Sequence, residues 1–512
     1  MKRIFCLLLC LCTVVGLFGG CAMEDDPSVY VPTGDALLME DEEEEVRVQT
    51  DDTQELTLAY YSSKSMNPLK ATNYTNRALM PLIYQGLFAV DREYKVEPIL
   101  CKSYTVTADL MTYEFVIDPD ATFSDGTKVK AKDVVASLKE AMKSAYYGGR
   151  LRYVQKISQN DAGNVEIKLK QAYENLPLLL DIPIVKKGEL DDKRPVGSGP
   201  YIFHVGDDGR YLQKRQDWWC NSKDLLITAE RIPLRTAKTI TDIRDYFEFE
   251  DVGLVCTDPS SDRYAEYRCD YELWDCETGM FLFLGVNKES SVLKKKAVRQ
   301  AISRGIDREL LADTYYRDFA VAANLPASPN SPYYTAALAQ KYGYNKETFL
   351  SKMKANGVSG RTVKLLVNSD DSLRVKVAEE IGRMLSSCGL IVDVVSKSSS
   401  AYRTALAEGK YDLYLGQTKL SANMDLTPFF SDSGTLSYGG MADISTYNLC
   451  LQALENSGNY YTLHETIMKD GYLCPVLFLN YAVYATRGLL TQLQPARDNL
   501  FFYTIEREVP QE

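Results

Sequence analysis

Few residues in this chain of 512 could perform covalent or metal chemistry. Histidine, the most common general base and metal ligand, occurs only at His204 and His464, and His464 sits in an ordinary helical pattern. No HExxH, GxSxG or P-loop spacing is present, so the arrangements that activate water, serine or a nucleotide phosphate are missing. Paired carboxylates could serve a glycosidase, but a chain with 70 acidic residues makes such pairs by chance. Eight cysteines lie beyond the N-terminal region: Cys101, Cys220, Cys256, Cys269, Cys276, Cys388, Cys450 and Cys474. They form no CxxC pair and no repeating spacing, which favours buried thiols acting as small hydrophobes over a zinc site. Cys269 and Cys276 are the nearest candidates for a bridge. The pattern argues against catalysis, a resident metal or a cofactor, and for binding.

A different chemistry is suggested at the N-terminus. Lys2 and Arg3 precede an uncharged apolar run from Ile4 to Phe18, followed by Gly19, Gly20 and Cys21. A positive start, a short apolar stretch and small residues before a cut describe an export signal. The run is shorter than the ~20 residues that a membrane-spanning helix needs. Leu17-Phe18-Gly19-Gly20-Cys21 is similar to a bacterial lipobox, with Phe18 where that motif usually carries Leu. The Cys21 thiol would then be acylated and become the mature N-terminus, which makes 1–20 a signal peptide. Removing Lys2 and Arg3 takes the net charge from −12 to −14. Such acidity, without a basic stripe, excludes a nucleic-acid partner. Residues 21–54, with the run Glu40-Asp41-Glu42-Glu43-Glu44-Glu45, cannot bury enough surface to fold and read as an acidic linker from the lipid anchor.

The body needs elements that could form a binding cleft. Its 45% hydrophobic and 25% charged residues are ordinary for a globular protein, and its length predicts two or three lobes. Leu56–Tyr61, Thr112–Ile117, Val165–Leu169, Phe281–Val286 and Val476–Leu479 read as strands. Helical spacing appears over 78–87, 130–142, 293–316, 372–388 and 449–454. Alternation of this kind predicts layered α/β lobes. Asp125-Gly126 and Gly197-Ser198-Gly199-Pro200 mark tight turns.

These segments recur in an order that closely resembles the extracytoplasmic solute-binding proteins, family 5, of importers for oligopeptides, dipeptides and nickel. The resemblance runs through Asn67-Pro68-Leu69, Leu82-Ile83-Tyr84-Gln85-Gly86-Leu87-Phe88 and FSDGTKVKAKDVVASLKEAM from Phe123 to Met142. It continues through Val196-Gly197-Ser198-Gly199-Pro200-Tyr201 and VRQAISRGIDRELLADTYY from Val298 to Tyr316. It covers about 55 to 505 and implies an α/β, periplasmic-binding-protein-like fold of two lobes joined by a two-strand hinge. The implied first lobe comprises 55–89, 178–276 and 476–512, with an extra subdomain at 90–177. The second comprises 277–475, and the hinge lies near Phe281–Asn287 and Cys474–Leu479. Its implied role is that of a monomeric, lipid-anchored carrier on the outer face of the cell membrane, delivering peptides to an ABC permease by closing around them.

Family members hold a peptide's amino terminus with an acidic residue, and the matching loop here assigns that role to Asp425. Gln417 and Asn423 stand near where members commonly show a Trp and a second acidic residue. Asn423 is the alternative polar contact, and Met66 and Tyr438 are expected on the cleft wall. Asp425 equally fits a cap for a helix at Leu426–Phe430. Other ligands remain open: an oligosaccharide stacked on some of the 35 tyrosines, a metal chelate, or a peptide signal read by a receptor.

Overall fold

The computed structural model describes residues 55–207, 209–220, 228–259, 267–490, 493–497 and 499–503. Cys21, the signal peptide and nearly all of the acidic linker lie outside the described residues.

Two long strands, Tyr271–Val286 and Leu473–Thr486, organise the body. They pair antiparallel along almost their whole length, with register shifts between Glu277 and Met280 and between Leu282 and Phe283. Beyond the first shift, Met280–Val286 pairs on its other edge with Leu413–Lys419, which leads to parallel strands Thr362–Asn368 and Ile391–Lys397. On the opposite half, Leu254–Thr257 pairs with Leu473–Thr486 and leads to Leu58–Tyr61, Arg231–Ala237, Gly209–Lys214 and Tyr201–Gly206. With Ala320–Ala322 paired to Leu473–Thr486, one eleven-stranded sheet passes through two lobes, crossing on the two long strands. Phe281–Val286 is buried throughout, as a strand covered on both faces must be.

Separate cores fill the lobes. Leu284, Val298, Ile302, Leu311, Ile381 and Leu413 belong to one, and Leu58, Tyr60, Leu82, Tyr201, Leu234 and Val483 to another. A four-stranded antiparallel sheet, Cys101–Val106, Thr112–Ile117, Val165–Leu169 and Val154–Gln159, has its own core. The helix Ala131–Ala141 packs Val134 and Leu138 into it.

Two expected helices are broken. The stretch 78–87 divides into Tyr74–Ala78 and Met80–Ile83, after which Tyr84 is extended. Pro81 starts the second piece, where its missing N–H costs nothing. Gly86 then lies so close to the backbone of Asp181 and Phe88 that a Cβ would stand 3.0 Å from each. The stretch 293–316 becomes Lys296–Ile302, a tight turn at Ser303–Gly305, and Arg308–Tyr316. A Cβ on Gly305 would meet Leu385 at 2.7 Å, and Asp307 restarts the helix by accepting from Leu310 N–H at 3.2 Å. The arginines of this segment are structural: buried Arg308 donates to the carbonyls of Pro475, Ser303 and Ile306. Cys269, Cys388, Cys450 and Cys474 are free thiols, so the bridge considered between Cys269 and Cys276 is not formed.

His464, on helix Tyr460–Asp470, is fully buried, and both ring nitrogens lack partners. Burial pushes its pKa from 6.5 down to about 3. Between those values the unfolded chain takes up a proton that the folded chain refuses, so stability falls as pH falls. The expected slope is roughly 1.4 kcal/mol per pH unit. Urea titrations at several pH values should show His464→Leu losing that component; an unchanged slope would assign the acid sensitivity elsewhere.

Candidate functional site

The register of the two long strands shifts between Glu277 and Met280. Gly279 turns the chain there at φ +71°, a conformation that glycine adopts without strain. Its carbonyl accepts from Leu420 N–H at 2.9 Å. One step earlier, the buried Glu277 accepts hydrogen bonds from the hydroxyls of Tyr94, at 2.7 Å, and Ser328, at 2.5 Å. Its other oxygen is buried without a partner. The Arg497 guanidinium lies over the Tyr94 ring, 4.8 Å from its centroid. Burial disfavours the charged form of Arg497, but Tyr94 and Glu277 outweigh that cost and raise its pKa.

Next to this junction is a cavity of ≈ 110 Å³ lined by Arg77, Gln85, Tyr146, Arg150, Asp181, Arg497 and Asn499, among others. Arg77 comes from the short helix Tyr74–Ala78 and lies 3.5 Å from the Tyr146 ring centroid. Arg150 pairs with Asp181 at 2.5 Å and lies near the Tyr146 and Tyr147 rings. Arg497 is 8% exposed, has a left-handed backbone at φ +38°, and leaves its Nη1 without a hydrogen bond. From the strand Leu413–Lys419, Lys419 reaches the Tyr146 hydroxyl at 3.2 Å. The walls carry three guanidinium groups against one carboxylate.

The expected site residues are spread more widely. Asp425 is buried; its Oδ1 accepts from the Thr427 N–H at 2.8 Å and the Thr427 hydroxyl at 2.6 Å. Its Oδ2 lies 3.5 Å from the Arg152 guanidinium, and Tyr153 bonds the Thr427 hydroxyl at 2.6 Å. Asp425 thus caps the turn into Thr427–Phe430 and faces a cation of the four-stranded unit. Asn423 is nearby and buried, accepting from the Ser421 hydroxyl at 2.6 Å while its carbonyl accepts from Tyr460. Gln417 is on the same strand as Lys419 and accepts from Arg374 at 2.8 Å. Tyr438 packs edge-on to Tyr414. Met66 lines a different cavity of ≈ 270 Å³ with Tyr84, Arg194 and Phe203. The structure brings Asp425 and Asn423 together, packs Tyr438 on the core that holds Ala422, Met424 and Leu426, and places Met66 in a separate cavity.

Sequence reasoning missed Arg77, Arg150, Arg497 and Lys419. Tyr146-Tyr147-Gly148-Gly149-Arg150, with two aromatic rings before an arginine, was the one local signal available. Among the described residues no group of three or more His, Cys, Asp or Glu is arranged to hold a metal, and no helix is long and apolar enough to cross a membrane.

A sheet continuous through two lobes on a pair of long strands is the architecture of a two-lobed solute-binding protein. The chain belongs to the bacterial extracellular solute-binding proteins, family 5, whose middle-region profile matches residues 95–438. It is similar to the glutathione-binding protein GsiB of Escherichia coli O6:K15:H31, at 24% identity over 384 residues, covering 72% of this chain and 73% of that one. Among solved structures it resembles HbpA2 from Haemophilus parasuis, with TM-score 0.73 and 16% identity over 89% of this chain and 100% of that one. It also resembles the oligopeptide-binding protein AppA of Bacillus subtilis in complex with a nonapeptide, with TM-score 0.59 and 18% identity over 88% and 99%.

Proposed function

We propose that this protein captures peptides between its two lobes and delivers them to an ABC permease, held at the outer face of the membrane by lipid on Cys21. The observation that carries this reading is the single sheet crossing between lobes on two long strands beside a polar cavity. Two strands with a local irregularity bend more readily than a packed interface, so the lobes can close on a ligand that touches both. Binding then shifts the population toward the closed form, which a permease can distinguish from the empty one. The proposed first lobe comprises 55–89, 178–276 and 476–512 with the subdomain 90–177, and the second comprises 277–475. The names of the glutathione-binding and nonapeptide-bound relatives support a peptide ligand.

Asp425 is the proposed partner of the peptide ammonium, displacing Arg152 from its Oδ2. The turn through Thr427 already orients the carboxylate for that exchange, and a charge-assisted bond in a closed cleft is strong. Small-angle scattering of the body should show a smaller radius of gyration once a mixture of free-amine tripeptides is added. Asp425→Ala should abolish that compaction, and N-acetylated tripeptides should not produce it. Compaction that ignores both changes would remove Asp425 from the site.

A further inference from the structure

We propose that the cavity beside the hinge is a carboxylate subsite, so that the protein selects short acidic peptides over neutral or basic ones. The proposal rests on the peptide reading above and narrows it. Three arginines, Arg77, Arg150 and Arg497, converge on the cavity from segments far apart in the chain, and only Arg150 has a carboxylate partner, Asp181. Among the described residues, Arg77 has the Tyr146 ring and no ion pair.

Arg497 is the decisive member. It is more than nine-tenths buried, lines the cavity, and leaves Nη1 without an acceptor. An orphaned donor on a buried cation is costly unless something completes it. Glu277 stabilises the charge from the hinge side but forms no ion pair with it among the described residues, so the guanidinium retains donor capacity toward the cavity. Its left-handed backbone adds strain of the kind that persists where a side chain is held for a purpose.

Size limits the guest. An apolar cavity of about 150 Å³ holds one benzene, so ≈ 110 Å³ suits one carboxylate-bearing side chain or chain terminus and not a whole peptide. The flat, forked guanidinium matches a carboxylate in two-pronged geometry. Lys419 stands outside the cavity lining but reaches the hydroxyl of Tyr146, a lining residue, and so adds positive charge beside it.

The test is calorimetry with four tripeptides, Ala-Glu-Ala and Ala-Gln-Ala, each as free acid and as C-terminal amide. The doubly acidic peptide should bind about 10-fold or more tighter than the neutral amide. Arg77→Gln and Arg497→Lys should each bring that ratio of affinities down toward one. Arg77 is only partly buried, so its variant gives an answer even if the Arg497 variant fails to fold. Equal affinities for all four peptides would overturn the carboxylate subsite and leave peptide capture standing. If no tripeptide binds but glutarate does, and Arg77→Gln loses it, the subsite stands and the peptide reading falls. Binding of neither overturns both.

Discussion

Glu277→Ala is expected to destabilise the body by about 3 kcal/mol, because it removes two hydrogen bonds to a buried carboxylate, each worth roughly 1.5–3 kcal/mol. The side chain is 4% exposed at the crossing of the long strands. Cutting it back orphans the Tyr94 and Ser328 hydroxyls, which both donate to it, and leaves the Arg497 cation without its nearby negative charge. Because Tyr94 and Ser328 flank opposite sides of the crossing in the proposed lobe division, the loss also slackens the hinge. Glu277→Gln keeps an acceptor and removes the charge; it should cost roughly half as much, in keeping with a neutral hydrogen bond being about half as strong as a charge-assisted one. Urea denaturation of both variants separates the two contributions. Equal stability in wild type and Glu277→Ala would mean that Arg497 needs no counter-charge, and the electrostatic account of the hinge would fail.

A second large effect is expected at a position with no polar role. A Cβ on Gly197 would stand 1.9 Å from the Ile83 carbonyl oxygen and 2.7 Å from its carbon, and one on Gly199 would stand 2.6 Å from the Leu82 carbonyl oxygen. The obstacles are backbone atoms whose neighbours are committed: Gly199 N–H donates to the Ile83 carbonyl at 2.9 Å. Relief requires the segment to move away from 82–85, which supplies Tyr84 and Gln85 to the cavity wall. Gly197→Ala should therefore cost about 3 kcal/mol, the upper part of the usual overpacking range, and weaken peptide binding together with stability. Gly126→Ala is the control. It has φ +78° but open space around it, so it should cost only the ~1–2 kcal/mol of a left-handed non-glycine residue.

That contrast explains what was legible in the sequence. Turn chemistry is local, so Asp125-Gly126 and the Gly197-Gly199 pair could be recognised from a few residues, and Thr127 N–H does bond Asp125. Periodicity is also local, and the helices at 131–141 and 372–387 follow it. It misled where apolar spacing continued across a break: Gly86 lies against the backbone of Asp181 and Gly305 against the Leu385 side chain, contacts with residues distant in the chain. The cavity was invisible for the same reason. Arg77, Arg150 and Arg497 come from a short helix, a tight turn and the C-terminal segment, and nothing in their spacing marks them as neighbours. Asp425 was reached by resemblance, and its two readings share one carboxylate: one oxygen caps Thr427 and the other faces Arg152.

Native mass spectrometry of the body from about Asp51, purified gently without added solute, tests the central claim most directly. The account predicts a ladder of extra masses matching short peptides, rich in Asp and Glu, that Asp425→Ala loses. A single non-peptide mass, or a bare protein that also ignores every peptide added to it, would contradict it.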